Sequence, residues 1–561
     1  MITPEALAEI LRNGETLAVE FKGEARRQIS DKEIYAEVVA LANTNGGILL
    51  LGVEDDGCVS GAKPRHGKIT EPLKLQSAIF NNTIPNITTC VSILKYETEK
   101  SIICVEVDSC PETCATRSGK SLRRGIKSDG RPETVPFYPR EQHSRKISLG
   151  LLDYSAQQIP DAAFDDFDPI EIERLKRSIS ALRGDTSLLS LGNRDMVKAL
   201  RLVETVSGKL VPNVAGLLVI GKETAIQKYL PTHAVHFQVL DQQGNVKVND
   251  TFTCGLLKII DEVSSRFSAR NEEKEISVGL FRLPVPDYAQ ESFREAFNNA
   301  ILHRDYSCMD GVYVQWQADH MLIASPGGFP SGITINNILV HEPKPKNSRL
   351  AETFRRIGVV EQTGRGVDKI FMGQLRFGRP APDYSRSDDT GVRVVLRGGT
   401  QSLEFASFVY EQSKNNKPLS LDELLILNTV FFERVIDSEK TTSVIQKSVV
   451  DARAVLGQLL EKGFLEAKGA NRGRTYHMSS GLYRKLGKKE AYVRVHGISA
   501  HKHEALVMEY VEAHARIERK AVMSLCGLTG IQASRLLSRM CRNKKLIMRG
   551  IPPRGAYYEK V

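Results

Sequence analysis

No stretch of this 561-residue chain approaches the roughly 18 consecutive apolar residues that a membrane-spanning helix requires. The start, Met1-Ile-Thr-Pro-Glu5, lacks the basic residues and apolar core of a secretory leader. Cysteine is sparse and unpaired in pattern. Of nine, only Cys110 and Cys114 lie close together, and no second pair completes a zinc-type spacing. These absences lead us to expect free thiols, a reducing cytoplasm and no membrane partner. Also missing is any Gly-x-x-x-x-Gly-Lys-Ser/Thr loop of the P-loop type. What remains is ordinary globular composition, 41% apolar and 26% charged. At this length, that means several domains.

Acidic excess is lacking too, but the basic excess is local. The chain carries 77 Lys/Arg against 67 Asp/Glu, a net charge of +10. From Arg484 to Val561 there are 17 basic and 6 acidic residues, a net of +11, so everything before is at −1. A polyanionic partner is therefore expected at the C-terminal end.

The expected fold is an α/β multidomain chain. Residues 1–152 alternate helical and strand patterns, and the polar, acidic stretch 153–170 reads as a linker. A mixed α/β region spans 171–398. It includes the apolar run Val214–Gly221, expected as a buried strand, and a core at 280–395. Two smaller units follow at 399–483 and 484–561. Between them, Ala452, Leu456, Leu459, Leu465, Gly469 and Tyr476 recur 81 residues later as Ala533, Leu537, Met540, Leu546, Gly550 and Tyr557. Each copy reads helix, turn, strand, basic turn, strand, the pattern of a winged helix-turn-helix.

In the first strand, Glu20 and Lys22 share a face, with Glu15 just before it. Together with an acid from Glu54-Asp55-Asp56, such residues could hold Mg²⁺ or Mn²⁺ against a phosphodiester, with the lysine stabilising charge on the phosphate. They could equally be a surface ion pair beside an Asp-Gly turn. Glu15-Thr-Leu-Ala-Val-Glu-Phe-Lys22, followed by Ala42-Asn-Thr-Asn-Gly-Gly-Ile-Leu-Leu-Leu-Gly-Val-Glu-Asp-Asp-Gly57, resembles the Schlafen AlbA-type domain. The resemblance implies an α+β fold and a metal-dependent RNase that cuts transfer RNA, with Glu15, Glu20 and Asp55 as acidic residues. It equally implies the DNA-binding regulators found among bacterial members. The basic stretch Arg117–Lys127, with Arg123, Arg124 and Lys127, reads as a phosphate-contacting or solvated hairpin.

A second constellation is Arg294-Glu-Ala-Phe-Asn-Asn-Ala-Ile-Leu-His-Arg304. Here Glu295, Asn299 and His303 fall on one helix face. A Glu that can activate water and an Asn for Mg²⁺ suit nucleotide hydrolysis, and Gly327-Gly328 and Gly364-Arg-Gly366 could offer backbone N–H groups to phosphates. Together these resemble the divergent GHKL-type ATP-binding domain of RecG-like regulators. That implies an α/β sandwich and ATP, although Ser325-Pro326 stands where such domains place an adenine-binding Asp.

In the C-terminal repeat, Arg472 and Arg474 lie on the first wing. The second copy offers Arg535, Arg539, Arg542, Lys544 and Lys545 as a basic stripe for a phosphate backbone. The sequence thus leads us to expect a nucleic-acid-acting protein of antiphage defence, working as a homodimer. It is either a metal-dependent endoribonuclease coupled to a nucleotide site, or an ATP-responsive DNA-binding transcriptional regulator.

Overall fold

The computed structural model describes residues 4–96, 100–127, 129–278, 281–360, 365–399, 403–469, 474–486, 503–504, 507–508, 510–511, 516–526, 530–549 and 557–560. It is a mixed α/β chain of several units, each with its own small sheet.

The first unit runs α1 (Pro4–Asn13), β1 (Val19–Lys22), α2 (Asp31–Ala42), β2 (Gly47–Leu51), α3 (Pro72–Asn81) and β3 (Thr83–Ile84). It continues with β4 (Thr89–Tyr96), β5 (Lys100–Val107), β6 (Ala115–Thr116), β7 (Leu122–Ile126), β8 (Pro132–Pro136) and α4 (Pro139–Ser148). The main sheet has the order β1-β2-β5-β4. Only β1 and β2 are parallel, and α2 supplies their crossover. Ser30 and Glu33 close a capping box at the start of α2, and Ile34, Val38 and Leu41 bury its inner face. The Gly46-Gly47 pair has a steric purpose. Gly47 has φ +151°, and a Cβ there would stand 2.2 Å from the Ala18 carbonyl oxygen.

The central unit comprises α5 (Pro169–Ala181), α6 (Asn193–Ala199), β9 (Val203–Val206), β10 (Lys209–Pro212), α7 (Val214–Ile220), α8 (Glu223–Tyr229), β11 (Val235–Leu240), β12 (Val246–Phe252) and α9 (Leu256–Arg270). Next come β13 (Glu273–Val278), β14 (Phe281–Pro286), α10 (Gln290–Leu302), β15 (Val312–Trp316), β16 (His320–Pro326), α11 (Ser348–Ile357), α12 (Gly366–Leu375) and β17 (Gly391–Arg397). Five strands form one sheet in the order β12-β11-β15-β16-β17, and α10 packs on β15 and β16.

Two expectations are corrected here. The run Val214–Gly221 is helix rather than strand: Asn213 caps it by accepting from Gly216 N–H, and all seven residues of α7 are buried. A short run that is apolar on every side carries no period to separate the two forms. The stretch 153–170 is no free linker, since Ser155 and Phe167 are buried and Asp168 N–H bonds to the Ile220 carbonyl.

The C-terminal part holds α13 (Leu403–Lys414), α14 (Leu421–Glu433), β18 (Ile436–Asp437), α15 (Ser438–Ile445), α16 (Val449–Glu461), β19 (Leu465–Lys468), β20 (Thr475–Met478) and α17 (Ser480–Lys485). Beyond it are β21 (Arg516–Glu518), α18 (Arg519–Cys526), α19 (Gly530–Arg542), β22 (Leu546–Arg549) and β23 (Tyr557–Lys560). The repeat is structural: α15 and α18, α16 and α19, and β19 and β22 each begin 81 residues apart (438 and 519, 449 and 530, 465 and 546). Its apolar positions Ala452/Ala533, Leu456/Leu537, Leu459/Met540 and Leu465/Leu546 are all buried. Sheets β18-β20-β19 and β21-β23-β22 share the same order. The first copy's core is continuous with the central unit's, whereas the second has a separate core.

Candidate functional site

In the first unit the motif residues mostly brace the fold. Asn43, buried after α2, donates through Nδ2 to the Cys114 and Leu122 carbonyls, and its Oδ1 accepts from Cys114 N–H. Thr44 Oγ1 accepts from Arg124 N–H at 2.9 Å. These bonds hold the β7–β8 hairpin against the C-terminal end of α2.

That hairpin delivers Arg124 into a buried charge cluster. Glu20 pairs with Lys22, and Glu20 Oε2 lies 2.5 Å from Arg124 Nη2. Lys22 Nζ is 3.2 Å from Glu37 Oε1, and Arg124 Nη1 is 3.9 Å from Glu37 Oε2. Thr134 Oγ1 donates to Glu37 and accepts from Arg124. Two carboxylates thus face two cations, a formally neutral quartet, with the Arg124 side chain fully enclosed. Burial, together with the Glu37 charge, outweighs the nearby cations and pushes the Glu20 carboxyl up to about 7. Burial works against the Lys22 charge, but Glu37 and Glu20 raise its pKa on balance.

The arrangement does not fit a metal held by Glu15, Glu20 and Asp55. Glu20 is engaged by Lys22 and Arg124, Glu15 Oε1 accepts from Phe21 N–H at 2.9 Å, and Asp55 is exposed in a turn. Among the described residues, no three His, Cys, Asp or Glu side chains come together as a metal-binding group. Glu37 escaped the sequence reading, although its position three after Ile34 and four before Leu41 sets a carboxylate within the apolar stripe of α2. Arg124 is also corrected: it is a buried counter-ion and cannot meet a phosphate from outside. Arg123 pairs with Glu141 at 2.5 Å, and Lys127 is exposed.

Raising a buried carboxyl has a consequence for stability. The folded chain holds the Glu20 proton more tightly than the unfolded chain, so this group's contribution declines as pH rises from about 4.5 to about 7. Subtracting the unfolding profile of Glu20→Gln from that of the wild type should isolate this decline. A flat difference would contradict it.

The central unit contains a cavity of about 730 Å³, within the range of ligand pockets. Glu295 and Asn299 line it from α10, His303 from the residue that caps the helix, and Gly366 from the start of α12. A Cβ at Gly366 would stand 3.2 Å from Glu295 Oε2 and 3.7 Å from Asn299 Nδ2, so glycine keeps this wall open. Glu295 is buried, with Oε1 accepting from Arg294 at 2.9 Å. Burial, then the Lys346 charge, lowers His303 to about 4, which keeps its imidazole neutral. Ser325 also lines the cavity and donates its hydroxyl to the Ala300 carbonyl at 2.6 Å, leaving only lone pairs to face a ligand.

The two glycine segments part company. Gly327 N–H bonds to the Thr390 carbonyl at 2.7 Å and Gly328 N–H to the Asp389 carbonyl at 3.0 Å, so neither is available to a phosphate. Gly327 is needed for space instead: it has φ +86°, and a Cβ would lie 2.6 Å from that of Asp305. Gly364 lies outside the described residues.

Helix α4 links the two units. Ser144 Oγ donates to Asp305 Oδ2 at 2.7 Å, two residues along the chain from His303, and Arg145 donates to the Ala42 and Cys110 carbonyls.

In the last unit the basic stripe is divided. Glu504 accepts from Arg539 Nε at 3.0 Å and from Lys545 Nζ at 2.8 Å, while Arg535, Arg542 and Lys544 are exposed without such a partner among the described residues. Arg535 and Arg542 are two turns apart on α19 and share a face. In the first copy Arg474 is exposed and stacks over Tyr476, and Arg472 lies outside the described residues.

Comparison with known families follows this division. Residues 15–131 match the model "Schlafen, AlbA_2". Residues 310–396 match "Putative ATP-dependent DNA helicase recG C-terminal". The chain joins a Schlafen AlbA_2 domain to an ATPase-like domain. Between them, residues 151–236 match a domain of unknown function. The ATPase-like match begins after α10, so the placement of Glu295, Asn299 and His303 rests on geometry alone. No curated protein matches. The crystal structure of the DIP2311 protein from Corynebacterium diphtheriae is similar over 99% of this chain and 98% of that one, at 19% identity and a TM-score of 0.49. The Schlafen AlbA_2 and ATPase-like matches suggest a nucleic-acid-related protein. Among the described residues no helix is long and apolar enough to cross a membrane.

Proposed function

We propose that this chain is a nucleotide-responsive nucleic-acid-binding protein, with ATP and its Mg²⁺ held in the central cavity. The observation that carries this reading is the convergence of Glu295, Asn299 and the open Gly366 edge of α12 on one cavity wall. Glu295 presents an oxygen that can orient water, Asn299 an amide for Mg²⁺, and the start of α12 a site for phosphate oxygens. The bound metal would neutralise phosphate charge. The sandwich architecture of the GHKL type and the winged-helix character of both C-terminal copies belong to this proposal, supported by the five-stranded sheet under α10 and by the repeated helix-and-sheet order.

The last unit then provides the hold on nucleic acid, through Arg535, Arg542 and Lys544. The neutral quartet around Glu20 favours binding over metal-dependent cleavage for the first unit, and α4 gives the nucleotide site a path to it. This reading is tested by titrating ATP with Mg²⁺ into the protein, then repeating a labelled-duplex binding curve with and without nucleotide. Saturable ATP binding that changes duplex affinity is the expected result. No ATP binding would refute it.

Releasing the two cations held by Glu504 should strengthen the grip on DNA. Glu504→Gln is expected to steepen the salt dependence of duplex binding by about one to two released counterions. Fluorescence anisotropy over a salt series measures the slope, and an unchanged slope would mean that Arg539 and Lys545 face away from the nucleic acid.

A further inference from the structure

A second, polar pocket of about 420 Å³ adjoins the central cavity along α11, bounded by Asp153, the α6–β9 junction and α11 residues from Ser348 to Arg356. Three arginines line it: Arg201, Arg349 and Arg356. Its carboxylates are already engaged. Asp153 accepts from Ser155 and from Arg349 N–H, and Glu352 is paired with Arg355. Arg356 is fixed by Asp185 and by the Ala199 carbonyl.

The other two arginines stand differently. Arg349 Nε is buried without a hydrogen-bond partner, and the exposed guanidinium of Arg201 has no partner among the described residues. A buried donor without a partner is unfavourable. Arg349 is also one of the residues that line the cavity. Arginine forks match the oxygen geometry of a phosphate.

We propose that this pocket binds a phosphomonoester dianion, with Arg349 and Arg201 as its donors and Arg356 as a fixed third charge. Free phosphate and the 5′-phosphate of a nucleic-acid strand share this chemistry. The pocket meets the nucleotide cavity at Ser348 and Glu352, which line both, so its occupancy would be sensed by α11.

The test is calorimetric titration of the full-length protein with inorganic phosphate, and separately with a short oligonucleotide carrying either a 5′-phosphate or a 5′-hydroxyl. Arg201→Asn suits the comparison, because the residue is exposed at φ +54°, where asparagine is tolerated. Binding weakened about tenfold or more in Arg201→Asn and in Arg349→Gln, with the melting temperature of Arg201→Asn unchanged, supports the proposal. If only the 5′-phosphorylated strand shows this dependence, the ligand is a strand end; if inorganic phosphate shows it as well, the free anion suffices. Absence of phosphate-dependent binding by the wild type, or binding indifferent to Arg201→Asn, would overturn it.

Discussion

Replacing Arg124 with methionine is expected to destabilise the first unit by about 3–5 kcal/mol, the usual cost of breaking a buried ion pair on one side. The substitution roughly preserves apolar volume but leaves Glu20 and Glu37 sharing Lys22 alone. Neither carboxylate can turn to water, since Glu20 is 5% exposed and the Glu37 side chain 12% exposed. Hydrogen exchange reads this locally. Amides of β1 and β2 should exchange faster by about two to four orders of magnitude, while those of the central sheet stay unchanged. Glu20→Gln combined with Arg124→Met should recover much of the loss, because the remaining Lys22–Glu37 pair is again neutral. If Arg124→Met alone exchanges like the wild type, the quartet does not hold the fold.

The second large effect concerns the cavity. Gly366→Val should reduce ATP affinity by about a hundredfold or more, because the new side chain enters the space between the α12 start and the Glu295–Asn299 wall. The glycine's φ is not in the left-handed region, so the substitution carries no backbone strain. Asn299→Ala tests the metal role separately: it should weaken ATP binding in Mg²⁺ but leave metal-free binding unchanged. Calorimetry with and without chelator distinguishes the two. Equal affinities for Gly366→Val and wild type would place the nucleotide elsewhere.

How far the sequence could be read depended on whether its signal was local. The repeat was legible because Ala452, Leu456 and Leu465, with their counterparts, are buried positions at fixed spacing in elements of fixed order. Helix α10 was legible from its period, which set Glu295, Asn299 and His303 on one wall. The quartet was not, because Arg124 meets Glu20 only through a hairpin distant in sequence, and charge count alone suggests a surface for nucleic acid. The Gly327-Gly328 pair misled in a related way. Glycine marks a close approach, but the sequence does not say whether a phosphate or the chain's own Asp305 is the neighbour. Helix α7 failed for want of periodicity, its capping Asn213 being the only local sign of a helix start.

The central claim is that the cavity beneath α10 holds a nucleotide and that its occupancy governs nucleic-acid affinity. The most direct measurement is duplex binding by anisotropy as ATP and Mg²⁺ are titrated, in wild type and Gly366→Val side by side. The account predicts that nucleotide shifts wild-type affinity several-fold and leaves the variant's unaltered. Wild-type affinity independent of ATP, or a variant that responds as the wild type does, would contradict it.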